Sequence, residues 1–271
     1  MAGNMKVGIG GLGAIGLTLA RAITDGRLPG LELGAVSARD VEKAQKNLSS
    51  IGASAPVVSL EALAESCDVV VECAPASVFP VIAEAAIAKG RVFIPVSIGA
   101  LLNHMELVEK AKETGARLIL PTGALIGLDA VRAAAEGTIA SVTLETRKPP
   151  RGLAGAPYLV ENDISVEGLT DAKKVFEGNA RAAAKGFPAN VNVAAALSLA
   201  GIGPDQTSVE IWADPSVTRN THTIRVEADS ARFTMTIENI PTEENPKTGK
   251  ITALSVIATL RRLNAPLTAG T

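Results

Sequence analysis

One short stretch constrains this chain more than any other: Gly8-Ile-Gly-Gly-Leu-Gly-Ala-Ile-Gly16. It follows Lys6-Val-Gly-Ile9, which reads as a strand, and opens Ala14 to Thr24, which reads as a helix. Within it lies Gly11-x-Gly13-x-x-Gly16. The first glycine permits a tight strand-to-helix turn, the second lets backbone approach a pyrophosphate, and the third lets helix and strand pack closely. The helix start then presents unpaired N–H groups and the positive end of its dipole to phosphate. Gly11, Leu12, Gly13, Ala14, Ile15 and Gly16 are therefore the predicted dinucleotide-binding set. The same apolar run is the one candidate export signal, but so many glycines suit a turn far better than a signal helix.

Downstream, short apolar runs alternate with helical patterns. Strands are predicted at Leu31–Ser37, Pro56–Ser59, Asp68–Cys73, Arg91–Val96 and Arg117–Leu120, with helices at 40–48, 60–66, 78–89 and 104–113 between them. Strands apolar at nearly every position and interleaved with helices indicate a parallel sheet covered on both faces. The predicted class is α/β, a Rossmann-type doubly wound parallel sheet, with a second α+β domain carrying a mixed or antiparallel sheet. That second domain has predicted strands at Thr138–Thr146, Ser208–Ala213, His222–Glu227 and Ala231–Glu238, and helices at 171–185 and 193–199. A terminal helical segment places Ile251, Leu254, Ile257 and Ala258 on one face, and it needs a surface to pack on. The expected division is 1–122 for the dinucleotide-binding domain, with a helix from 250–271 packing back onto it, and 123–249 for a substrate, catalytic and dimerisation domain.

Composition narrows the class. Of 271 residues 47% are hydrophobic and 20% charged, with Lys+Arg 26 against Asp+Glu 28. The balance excludes a disordered tail protein and gives no support to a nucleic-acid partner. No apolar run is long enough to span a bilayer. Cys67 and Cys73 are too few for a disulfide framework and fit no zinc spacing, so the expectation is a cytoplasmic protein without metal or membrane.

At the end of the second strand an acidic residue would bind the ribose 2′-OH of NAD. Here the sequence is Ser37-Ala-Arg39-Asp40. A hydroxyl and a guanidinium at Ser37 and Arg39 suit a 2′-phosphate; alternatively Ser37 and Asp40 only cap the next helix. The expected cofactor is NAD or NADP. Two further strand ends, Cys73-Ala74-Pro75 and Ser97–Ala100, fall at the carboxyl edge of the sheet, where small residues leave room for ribose and nicotinamide or form ordinary loops.

Of the two histidines, His104 reads as a surface residue. Alternation in Thr221–Val226 sets His222 on the face of Ile224 and Val226, either as a hydrogen-bonded core residue or as a titratable ring aimed into an interdomain cleft. Asn190 and Asn192 read as helix caps or as amides for a carboxamide or carboxylate.

Several segments in order point to one family: Gly8–Gly16, Pro121–Asp129, Thr146-Arg-Lys-Pro-Pro150, Gly186–Val193, Arg219-Asn-Thr-His222 and Glu244–Thr248. Over nearly its whole length the chain resembles the L-aspartate dehydrogenase family. The resemblance implies a homodimer that oxidatively deaminates L-aspartate with NAD or NADP, giving oxaloacetate and ammonia through iminoaspartate. It also implies His222 as the catalytic acid/base and Ala124 and Asn190 as cofactor contacts. An imidazole with an unperturbed pKa of about 6.5 exchanges protons at neutral pH. A dicarboxylate needs cationic or N–H donors, for which Asn192, Lys148, Arg147, Arg219 and Lys247 are candidates, the cations being alternatively solvated surface charges. The competing readings are a glucose-fructose-type oxidoreductase acting on a sugar or polyol, whose Glu-Lys-Pro is here Glu72-Cys-Ala-Pro75, and a non-catalytic NAD(P) sensor.

Overall fold

The computed structural model describes residues 3–188, 191–242 and 249–270. The chain divides into two compact units, residues Met1–Pro121 with Thr252–Thr268, and Thr122–Ile251 with Ala269–Thr271.

In the first unit β1 (Met5–Gly10), β2 (Leu31–Ser37), β3 (Val69–Glu72), β4 (Val92–Pro95) and β5 (Arg117–Leu118) form one sheet in the order β2-β1-β3-β4-β5. All the pairings are parallel, which is why β3 reads Val-Val-Val: both faces are buried under helices. The strand expected at 56–59 is only an isolated parallel bridge, Val36 to Val57. It still extends the sheet beyond β2, so the connectivity is that of a doubly wound fold whose order reverses between β1 and β3, where such folds bind their ligands. Helix Lys250–Arg262 buries Ala253, Val256, Ile257 and Leu260, and the last three join Val7, Ile9, Leu19 and Val36 in the core. Of the expected face only Ile257 is buried: Leu254 is 51% exposed, and Ile251 and Ala258 are exposed too. The rival stripe through 251, 254 and 258 reaches Arg261 on its next turn, whereas 253, 256, 257 and 260 stay apolar.

The second unit carries β6 (Ile139–Lys148), β7 (Lys173–Asn179), β8 (Ser208–Ala213), β9 (Thr221–Ala228) and β10 (Arg232–Glu238), ordered β10-β9-β6-β8-β7. β6 and β8 are parallel and the other pairs antiparallel, a mixed sheet. The predicted helix over 171–185 is instead β7 followed by helix Ala180–Gly186, capped by the Asn179 side chain on the Ala182 N–H. Along β6 the residues alternate: Leu144, Thr146 and Lys148 are buried while Glu145 and Arg147 are part-exposed. The buried face meets helix residues Ala183 and Ala194 around a cavity of about 10 Å³ that Thr146 and Lys148 also line. The outer face is polar, with Arg225 and Arg147 both bonded to Glu145 and Thr223 bonded to Thr236.

Candidate active site

In the first unit the glycine loop has the geometry the spacing predicts. Gly11 has φ +98°, and a Cβ there would lie 2.7 Å from the Cys73 carbonyl oxygen; a Cβ on Gly16 would overlap the Gly11 carbonyl oxygen. Gly13 borders open space. Helix Ala14–Thr24 starts at Gly13 without a side-chain cap, so its first N–H groups stand at an open, uncrowded turn, a cradle that fits a pyrophosphate. Leu12 and Gly16 are buried, Gly11, Ala14 and Ile15 half-buried, and Gly13 exposed. The Gly11 N–H donates to the Ser37 carbonyl oxygen at 2.7 Å, which ties the loop to the tip of β2. There Ser37 is buried, Arg39 is exposed, and Asp40 caps the next helix by accepting from the Lys43 N–H. Asp40 is thus engaged as the cap, and Ser37 makes no cap contact.

Across the switch point stands a residue that sequence reasoning passed over. Glu72, at the end of β3, is fully buried. Its carboxylate accepts from the Ala74 N–H and the Ser97 N–H, both at 2.9 Å, and from the Ser97 hydroxyl at 3.1 Å. Burial outweighs these bonds and pushes its pKa up. The carboxylate ties together the ends of β3 and β4, the two turns expected to flank ribose and nicotinamide, and so fixes Ala74. Pro75 is exposed at the start of a single 3₁₀ turn. A lone carboxylate closing an otherwise apolar strand was the available signal.

The second unit gathers polar groups on the buried face at one end of its sheet. Thr146 on β6 is the register partner of His222 on β9, and Thr146 Oγ1 lies 3.0 Å from His222 Nδ1. Thr146 thus engages Nδ1 and not Nε2. Lys148 lies two residues along the same face, 6% exposed. Burial pushes the Lys148 ammonium down to about 8. Burial, with the Lys148 charge beside it, pushes the imidazole down to about 3. The expectation of an open ring titrating near 6.5 is not met: His222 is 2% exposed, so a reacting atom reaches it only when the atoms covering it move. At this same end Asn239 follows β10, its N–H donating to the Asn220 carbonyl oxygen and its Nδ2 to the Ala124 carbonyl oxygen.

The other predicted residues separate. Arg147 lies on the opposite sheet face, paired with Glu145 and Asp214 and stacked 4.7 Å over Trp212, so it holds that face together. Arg219 is exposed before β9, and Asn192 is exposed as the second residue of helix Val191–Ala200, inside the helix rather than capping it. Asn190 and Lys247 lie outside the described residues. His104 is not a simple surface residue: its ring sits 6.0 Å from that of Phe79, and its Nδ1 is 3.2 Å from Glu106. Among the described residues no group of His, Cys, Asp or Glu side chains is placed to hold a metal, and no helix is long and apolar enough to cross a membrane.

Residues 11–121 match the family model described as homoserine dehydrogenase, NAD binding domain, and residues 129–263 match aspartate dehydrogenase, C-terminal. An L-aspartate dehydrogenase of Bradyrhizobium diazoefficiens is 56% identical over 99% of this chain and 95% of that protein. The chain belongs to the aspartate dehydrogenase family. L-aspartate dehydrogenase 3 of Bordetella bronchiseptica, another member, is 53% identical over 99% of this chain and 98% of its own length. The crystal structure of aspartate dehydrogenase from Thermotoga maritima superposes with a TM-score of 0.75 at 26% identity, covering 98% of this chain and all of that one. The two family models divide the chain much as its two compact units do.

Proposed function

We propose that the chain is an NAD(P)-dependent oxidoreductase that converts L-aspartate and water to oxaloacetate and ammonia, reversibly. The full-length similarity to two proteins named L-aspartate dehydrogenase carries this reading. Bound NAD(P) supplies the acceptor for the hydride that leaves the aspartate α-carbon. The glycine loop and the start of helix Ala14–Thr24 hold its pyrophosphate, and the strand ends braced by Glu72 shape the ground beside it. With no carboxylate free at the tip of β2, Ser37 and Arg39 accommodate NADP as well as NAD. Ala124 and Asn190 are cofactor contacts in this reading, while Lys148, with Arg219 and Asn192, is assigned to substrate carboxylates.

Lys148 offers a positive charge in a buried setting, where attraction to a carboxylate is weakly screened. His222 is neutral at rest. An arriving dicarboxylate brings negative charge beside the ring and offsets Lys148, which favours the imidazolium. His222 Nε2 is then able to take a proton from the water that adds to iminoaspartate and to return one to the departing ammonia. A positioned acid/base of this kind is worth about 10²–10⁴ in rate.

The test is nicotinamide absorbance followed with L-aspartate, other L-amino acids, 2-hydroxy acids and sugars, each with NAD and with NADP. Reduction with L-aspartate is expected, and activity confined to hydroxy acids or sugars would remove the assignment. His222→Ala should lower turnover about 10²–10⁴-fold with cofactor affinity nearly intact; hydride transfer and imine hydrolysis at wild-type rates would remove the histidine's role.

A further inference from the structure

Buried polar atoms are almost always satisfied. Among the described residues one buried side-chain atom makes no hydrogen bond, Oδ1 of Asn239. The residue is 5% exposed, so the atom is not simply turned to bulk water. Its orientation is fixed chemically. Nδ2 donates to the Ala124 carbonyl oxygen at 3.1 Å, and only that end of the amide has hydrogens to give. Oδ1 is therefore held as an acceptor pointing away from Ala124.

Its position is equally specific. Ile237 pairs with His222 across β9 and β10, and Asn239, two residues on, shares the sheet face of Ile237 and therefore of His222. Gly249 stands next to it: a Cβ there would lie 3.0 Å from Oδ1. The absence of a side chain at Gly249 is what leaves Oδ1 uncrowded on that side.

We infer that Asn239 is a ligand-binding residue whose Oδ1 accepts a hydrogen bond from an N–H group of the bound reactants. A lone buried acceptor calls for a donor, and N–H groups come from two sources in the proposed reaction: the carboxamide of the nicotinamide and the nitrogen of the substrate or of released ammonia. The inference rests on the reading of the chain as an NAD(P)-dependent aspartate dehydrogenase. The bond to Ala124 would make the same side chain a link between the 122–127 segment and the end of β10, so that Asn239 both orients and binds.

The test compares wild type, Asn239→Ala and Gly249→Ala. The second variant keeps the Asn239 side chain and its donor to Ala124 and sets a methyl group against it, closest to Oδ1 at 3.0 Å. Calorimetric titration uses NADH and the reduced 3-acetylpyridine analogue, which keeps a carbonyl but has no N–H. A neutral hydrogen bond is worth about 3- to 10-fold in binding. If the carboxamide is the donor, wild type prefers NADH by about that factor and both variants lose the preference. If the substrate nitrogen is the donor, the preference is alike in all three, while KM for L-aspartate and for ammonia rises by a similar factor in the variants. Folded variants that match wild type in both measurements overturn the inference and leave Oδ1 to a structural water. Should Asn239→Ala not fold, Gly249→Ala decides by the same criteria. Binding is read without turnover, so a chain that discriminates the two nucleotides but does not oxidise L-aspartate would sink the substrate assignment and leave this one standing.

Discussion

At the scale of single residues, burial in the second unit holds Lys148 and His222 against their ordinary tendency to carry charge, and this has a sign that can be measured. The His222 pKa is lowered from 6.5 to about 3, so between those values the unfolded chain binds a proton that the native ring refuses. Stability therefore falls as pH drops from about 6.5 towards 3 and is independent of this group above that window. One pKa unit corresponds to about 1.4 kcal/mol, which makes the ring responsible for a few kcal/mol of acid sensitivity. His222→Asn, which can keep a bond to Thr146, should show a shallower loss of urea resistance between pH 6 and 4 than wild type. Glu145 and Asp214 are held low by their arginine and serine partners and act in the same direction, but they are present in both proteins and cancel. Equal slopes would mean that the ring is not the group refusing the proton. Alternation along β9 was enough to place His222 on the buried face from sequence, but its neighbours were not legible. Thr146 and Lys148 come from a strand far away in sequence, and nothing local to Asn239 signals that its amide ends up braced on Ala124.

Elements show the same division between what periodicity reveals and what pairing decides. The parallel strands of the first unit announce themselves because burial on both faces leaves them apolar throughout. β7 does not: Asp171–Gly186 is rich in good helix formers, and the strand exists because Lys173–Asn179 pairs along β8 with a bulge at Val175, a tertiary gain that outweighs local propensity. Asn179, the cap that divides strand from helix, was the available clue. Helix Lys250–Arg262 was foreseen as amphipathic, but two apolar stripes competed and only packing chose between them. Leu260 lies fully buried among first-unit side chains. Leu260→Ala should cost about 2–5 kcal/mol in denaturant unfolding, against less than about 0.5 kcal/mol for the exposed Leu254→Ala. Comparable losses would mean that the helix docks by its other face.

For the molecule as a whole, the mixed sheet of the second unit leaves one face polar and open, with Arg225 exposed and Trp212 lying between Arg147 and Lys174. The family resemblance implies a homodimer, and light scattering on the purified protein should give twice the mass of the chain; a single-chain mass at working concentration would refute it. The first unit is also interrupted: its chain leaves at Pro121 and returns at Thr252. The helix that completes its core is made only after roughly 130 further residues, on the order of 10 s of translation. Throughout that delay the nascent first unit lacks Val256, Ile257 and Leu260, so the greasy slot they fill stays bare until the second unit has been made.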